Sequence, residues 1–196
     1  FITTEGQSRE FEQKRLGVLT RILRGEYKFI VCSVQAAMQF TMPRSVLEKS
    51  SVYLKESEEP GLEKTVCALN DAGYTRCEQV DGAGQYAVRG GILDFFPSHS
   101  SHPIRVEFFG DSIDSMTYFD IESQRRTDSV DEAEIIPATE ILFSSQEQLK
   151  EKITAFRDTV KGKGSVNIKK HLSDDIDRIS SGVSLSSYDK YLSLCY

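Results

Sequence analysis

Between Gly84 and Asp120 the chain alternates apolar and polar residues and breaks the alternation with turn chemistry. This pattern predicts an antiparallel meander of four strands. In Ile104-Arg105-Val106-Glu107-Phe108-Phe109 successive side chains change face. Ile104, Val106 and Phe108 make a core face, and Arg105, Glu107 and Phe109 make the other. Gly110-Asp111 offers a tight reversal into a returning strand, Ser112 to Phe119. With a two-residue turn Phe109 pairs with Ser112 and Arg105 with Met116, so Met116 and Tyr118 are expected beside Arg105 and Phe109 on the outer surface. An apolar patch rimmed by charge is the usual look of a docking site.

Upstream, Gln85 to Arg89 and Ile92 to Phe96 read as a second hairpin around Gly90-Gly91, since glycine takes positive φ at little cost. Pro97 ends that strand, because it has no N–H for the ladder. Ser98 to His102 is a polar loop and Pro103 leads into the next strand. Arg89 leaves the sheet at the glycine turn, free to reach a partner.

The flanks supply the rest of the architecture. Phe1 to Gly6 is a short extended piece with a turn. Ser8 is placed to cap a helix from Arg9 to Arg24, with Phe11, Leu16, Leu19, Ile22 and Leu23 near helical spacing and Gly25 as the stop. Tyr27 to Cys32 reads as a short buried strand, and Ser33 caps a helix to about Phe40. That rhythm belongs to a doubly wound α/β domain, of which only the back end is present. Ser51 to Lys55 is a strand, Gly61 to Ala72 an amphipathic helix stopped by Gly73, and Tyr74 to Val80 another strand. Ile121 to Glu132 is charged and polar, with one short strand. Ile135 to Ala138 re-enters as a strand, and helices follow at Gln146 to Val160, Asn167 to Ile179 and Tyr188 to Cys195.

The expected fold class is therefore α/β combined with α+β: a partial α/β domain interrupted by an inserted α+β domain with an antiparallel sheet and one packed helix. The expected divisions are residues 1–51, the inserted domain at 52–133, and a mainly helical return at 134–196. The chain starts at Phe1 and ends on an apolar, aromatic segment, which reads as a piece of a longer protein.

Composition narrows the function classes. The net charge of −6 argues against a whole-surface nucleic-acid binder. A local arginine cluster on an acidic body suits protein docking instead. Cys32, Cys67, Cys77 and Cys195 show no zinc-ligand spacing, and free thiols in a reducing cytoplasm are the expectation. No apolar run approaches the ~20 residues of a membrane span. Gly162-Lys163-Gly164-Ser165 has the wrong spacing for a phosphate loop and reads as a linker. His99, His102 and His171 are scattered, and Asp111, Asp114 and Asp120 suit turns and strand edges. No nucleophile and base pair stands out. The expectation is no catalytic residue, no metal and no cofactor.

Arg89-Gly90-Gly91-Ile92-Leu93-Asp94-Phe95-Phe96-Pro97, then Pro103 to Ser115, then Phe119-Asp120-Ile121-Glu122-Ser123-Gln124-Arg125, closely resemble the N-terminal module of the bacterial transcription-repair coupling factors. Ser33-Val34-Gln35-Ala36-Ala37, Gly73-Tyr74 and Ile136-Pro137-Ala138 resemble that family as well. The module is similar to the excision-repair helicase UvrB. UvrB has R-G-D where this chain has Arg89-Gly90-Gly91, and T-G where it has Ser123-Gln124-Arg125, so both departures favour the coupling factors. The resemblance implies a helicase-like α/β domain without motor activity, interrupted by a domain that docks onto UvrA, the damage-recognising ATPase. Carried over singly, the docking residues it implies are Arg89, Arg105 and Phe109. RNA polymerase and DNA would be engaged by other parts of such a protein.

Each of the three residues also has a plain structural role to weigh. Arg89 could solvate a hairpin turn, Arg105 could pair with a cross-strand acid, and Phe109 could pack on a neighbouring hairpin. The alternative function is a fragment of a UvrB-type helicase that contacts DNA.

Overall fold

The computed structural model describes residues 9–142, 145–181, 185 and 188–196. The expected extended piece Phe1 to Gly6 and the cap at Ser8 lie outside the described residues. The chain divides into two compact units, one formed by Ser8–Ala37 with Pro43–Glu140 and one that includes Met38–Met42 and Ile141–Tyr196.

In the larger unit, helix α1 (Arg9–Leu23) carries Glu10 and Glu12 in its first turn, where carboxylates favour the helix dipole. It buries Gln13, Leu16 and Thr20 on one stripe and turns Phe11 to solvent. After Gly25, at φ +69°, the chain continues without regular structure through the segment expected to be a buried strand. Tyr27 to Cys32 forms no strand, and Phe29, Ile30 and Val31 are exposed. A strand exists only by pairing, and no neighbouring strand meets this one among the described residues. The short helices α2 (Val34–Ala37) and α3 (Arg44–Lys49) follow.

Strand β1 (Val52–Lys55) leads to helix α4 (Leu62–Asp71), which buries Thr65 and Leu69. The Thr65 hydroxyl donates to the Gly61 carbonyl, 2.9 Å, so its polar atom is satisfied inside the core. Then come β2 (Thr75–Arg76), β3 (Gln85–Arg89), β4 (Ile92–Phe95), β5 (Ile104–Phe109), β6 (Ser112–Phe119), β7 (Arg126–Ser129) and β8 (Glu132–Ile135). Strands β2 to β7 form one sheet in sequence order, antiparallel except for the parallel pair β2 and β3. Strands β1 and β8 form a separate antiparallel pair.

One face of the six-stranded sheet is the core. Leu93, Phe95, Ile104, Val106, Ile113 and Met116 pack there with Leu69 of α4, Leu54 of β1 and Ile135 of β8. Helix α1 is tied to the same unit by polar contacts. Gln13 Nε2 donates to the Ala83 carbonyl at 3.1 Å, and Glu12 accepts from the Thr139 hydroxyl and the Glu140 amide, both at 2.7 Å.

The smaller unit is helical. Helix α5 (Gln146–Thr159) starts at Ser145, whose hydroxyl accepts from the Gln148 amide at 3.1 Å. Helix α6 (Ser165–Ser180) follows a glycine-bearing break. The chain closes with a 3-10 turn, Asp189–Tyr191, and α7 (Leu192–Cys195). Leu149 and Ile153 of α5 pack with Leu172, Ile176 and Ile179 of α6 and with Tyr191. Asp175 is buried there, accepting from the Tyr191 hydroxyl and paired with Lys190 Nζ at 2.5 Å. No helix among the described residues is long and apolar enough to cross a membrane.

Candidate protein-docking face

The candidate face is the side of the six-stranded sheet away from the core. Its geometry starts with two turns. Arg89 pairs with Ile92 around Gly90, which sits at φ +62°, so this is the two-residue glycine hairpin expected from the sequence. Gly91 has a different reason to be glycine. A Cβ there would lie 2.9 Å from the Phe108 carbonyl oxygen, and the Phe108 amide donates to the Gly91 carbonyl at 2.8 Å. The hairpin tip is thereby pressed against β5. The second turn pairs Phe109 with Ser112 around Gly110 at φ +63°.

Beyond that turn the pairing departs from expectation. Glu107 pairs with Ser115 and Phe108 with Ile113, so Asp114 is an extra residue in β6. One added residue reverses the facing of everything beyond it. Arg105 consequently faces Thr117, and Met116 faces Val106 in the core with 2% exposure. Tyr118 faces Ile104 and packs on the core cluster. Neither belongs to the outer surface. The apolar patch is correspondingly smaller than the sequence suggested.

The outer surface instead carries a buried carboxylate at its centre. Asp94 of β4 pairs across the sheet with Arg105 of β5 and with Ala87 of β3. Its side chain is 1% exposed. Arg105 approaches it in a two-point fork, Nε to Oδ1 at 2.7 Å and Nη2 to Oδ2 at 2.9 Å. Arg89 Nη2 donates to the same Oδ2 at 2.5 Å. Arg105 Nη1 also donates to the Gln124 carbonyl at 3.2 Å. Gln124 holds a left-handed backbone, φ +57°, in the turn after β6. The Arg105 guanidinium lies 4.8 Å over the Phe119 ring. Hydrogen bonding to Asp94 holds the Arg105 guanidinium above its usual pKa, so its charge is secure.

The three residues implied by the resemblance thus differ in setting. Phe109 is 83% exposed at the hairpin end. Arg89 is half-exposed but tethered to Asp94 rather than free. The Arg105 side chain is only 12% exposed, with one edge committed to Asp94. Arg105 and Phe109 do lie on one side of β5, as the alternation required. Two residues outside the implied docking set complete the face: Glu107, which the alternation already placed there, and Asp94. Glu107, between Arg105 and Phe109 on the same side, is bonded by Arg126 of β7. Asp94 was legible in principle: in Ile92-Leu93-Asp94-Phe95 it is the polar residue among apolar neighbours, and alternation puts it opposite Leu93.

Next to this polar centre, Val80, Ala87 and Phe119 make a small second cluster with Cys77 and Phe96. It covers one end of the outer face and leaves the Arg89 and Phe109 end open. Among the described residues no group of three or more His, Cys, Asp or Glu is placed to hold a metal ion.

Residues 52–141 match the family described as the UvrB interaction domain. The chain is 28% identical over 196 residues to the transcription-repair-coupling factor of Bacillus subtilis (strain 168), covering 96% of this chain and 17% of the relative. It is 34% identical over 131 residues to that of Haemophilus influenzae, covering 67% and 11%. The same identity holds over 126 residues to that of Escherichia coli (strain K12), covering 64% and 11%. The chain spans less than a fifth of the length of these relatives.

Proposed function

We propose, from the premise that residues 52–141 belong to the UvrB interaction domain family, that this chain is a docking module of a transcription-repair coupling factor and that its partner is UvrA. The observation that carries the reading is Phe109. A phenylalanine 83% exposed at the end of a sheet, beside a pinned arginine pair, has the composition of an interface anchor. The charge of the site suits a partner surface with carboxylates around an apolar pocket. Arg89 is half-exposed and its guanidinium has donors beyond the one given to Asp94, and planar guanidinium groups favour carboxylate acceptors.

The role proposed is binding without chemistry. Contacts with RNA polymerase and DNA are assigned to other parts of such a factor, in keeping with the net charge of −6 on this chain. In this reading the inserted docking domain spans residues 52–133, within the 52–141 stretch that matches the family.

The test is a binding titration of the chain against purified UvrA. Wild type is expected to bind, and Phe109→Ala and Arg105→Ala are expected to lose most of that affinity. Unchanged binding by both would overturn the assignment. Tight DNA binding that collapses with added salt would favour the UvrB-type reading instead, because phosphate contacts release counterions.

A further inference from the structure

We propose that Asp94 is a positioning residue for the docking face: it touches no partner atom itself, but fixes both arginines in a preset arrangement. The inference rests on the docking reading above and adds a residue that reading does not contain.

The argument begins with burial. A carboxylate at 1% exposure is costly to desolvate unless it is fully paired. Asp94 is paired on both oxygens, and both partners are arginines from neighbouring strands: Arg89 from β3 and Arg105 from β5. Because β4 lies between those strands, one carboxylate controls two guanidiniums that would otherwise repel each other and sample many rotamers. The fork on Arg105 fixes its plane as well as its position. The Phe119 ring under it and the Gln124 carbonyl beside it remove the remaining freedom.

A purely structural ion pair would be cheaper to build from apolar residues here. The face already holds an apolar cluster of Val80, Ala87 and Phe119, and replacing buried ion pairs by packed hydrocarbons is often neutral or stabilising. What the carboxylate adds is an ordered pair of cations at the edge of the open surface. Pre-ordering them moves the entropy cost of fixing two long side chains from the binding step to the folding step.

The experiment is a double-mutant cycle on the chain with purified UvrA, alongside thermal unfolding of every variant. Asp94→Asn keeps the volume and removes the charge. In the wild-type background it is expected to weaken UvrA binding about tenfold; in the Arg105→Ala background it is expected to cost less than about threefold, since only Arg89 is then left for it to position. Asp94→Glu keeps the charge and shifts the acceptor by a methylene, so it is expected to weaken binding with the thermal midpoint nearly held; this variant decides the matter if Asp94→Asn is poorly folded. A second readout needs no partner: the Arg105 Nε proton is expected to exchange with water more slowly than that of Arg126, and to lose that protection in Asp94→Asn.

Equal losses in both backgrounds, or full affinity in a folded Asp94→Glu chain, would overturn this inference alone. Absence of UvrA binding by the wild-type chain would overturn the docking reading, and this inference with it.

Discussion

The Arg105 guanidinium and the Asp94 carboxylate meet in a two-point pair across adjacent antiparallel strands, at 2.7 and 2.9 Å. The pair sits on the outer face of the sheet yet is almost wholly buried, with side chains 12% and 1% exposed. That combination makes Arg105 part of the fold as well as part of the candidate surface. The residues of the face therefore respond to substitution in different ways.

Phe109→Ala is expected to separate binding from folding. The ring is exposed and packs on little, so stability should change by no more than about 0.5 kcal/mol. UvrA affinity should fall by about 2 kcal/mol, roughly thirtyfold, if the ring is an anchor. Isothermal titration and a thermal melt on the same sample check both halves.

Arg105→Ala is expected to cost stability as well as affinity. It strips the fork from a buried carboxylate and leaves Asp94 with Arg89, whose other side is open to water. Breaking a buried charged pair this way should destabilise by about 2 to 3 kcal/mol. Urea unfolding measures it. A loss of UvrA binding in this variant counts only at temperatures where the chain is still folded.

Gly91→Ala is expected to destabilise by about 1 to 3 kcal/mol, through crowding and not through backbone strain. The new methyl would stand 2.9 Å from a backbone oxygen of Phe108, which cannot move without shifting β5. Gly90→Ala meets no neighbouring atom, and its cost comes from φ +62° alone, so it should be about 1 kcal/mol. Comparing the two midpoints tests whether the hairpin tip is truly pressed onto β5.

Stability of the larger unit is expected to rise with pH across mildly acidic conditions because of His99. Burial, followed by the Arg24 charge, lowers its pKa from 6.5 to about 4, against a smaller opposing pull from Glu26. Glu134, 3.8 Å from its Nε2, is itself in an ion pair with Arg24. A depressed histidine stays neutral in the folded chain while the unfolded chain takes up the proton. Its contribution is therefore full above about pH 6.5 and is lost as pH falls toward 4, by up to about 3 kcal/mol. Carboxylates add slopes of their own, so the measurement is the difference between wild type and His99→Gln. Urea midpoints at pH 7 and pH 4.5 should differ less in the variant.

The alternation from Gly84 to Asp120 was sufficient for the meander, both two-residue turns and the shared side of Arg105 and Phe109. Those features follow from local rules: a period of two, and glycine where φ is positive. Helices α4 and α5 were equally legible, since apolar spacing, and for α4 the stop at Gly73, are short-range signals, whereas the Ser145 cap of α5 came from the structure. The strand expected at Tyr27 to Cys32 was not realised, because an apolar run becomes a strand only when another strand is there to bond it.

What the tertiary structure alone decided is the chemistry of the face. The extra residue at Asp114 breaks the period of two, leaving the core residues Ile113 and Met116 three apart, and only the pairing of β6 with β5 shows that it sends Met116 to the core and gives Arg105 a threonine neighbour. The closure of Asp94 on two arginines likewise depends on which strand lies between which, a matter of sheet order and not of local sequence. Side-chain alternation is a property of each strand by itself; a three-residue ion cluster exists only once three strands have been laid side by side in one register.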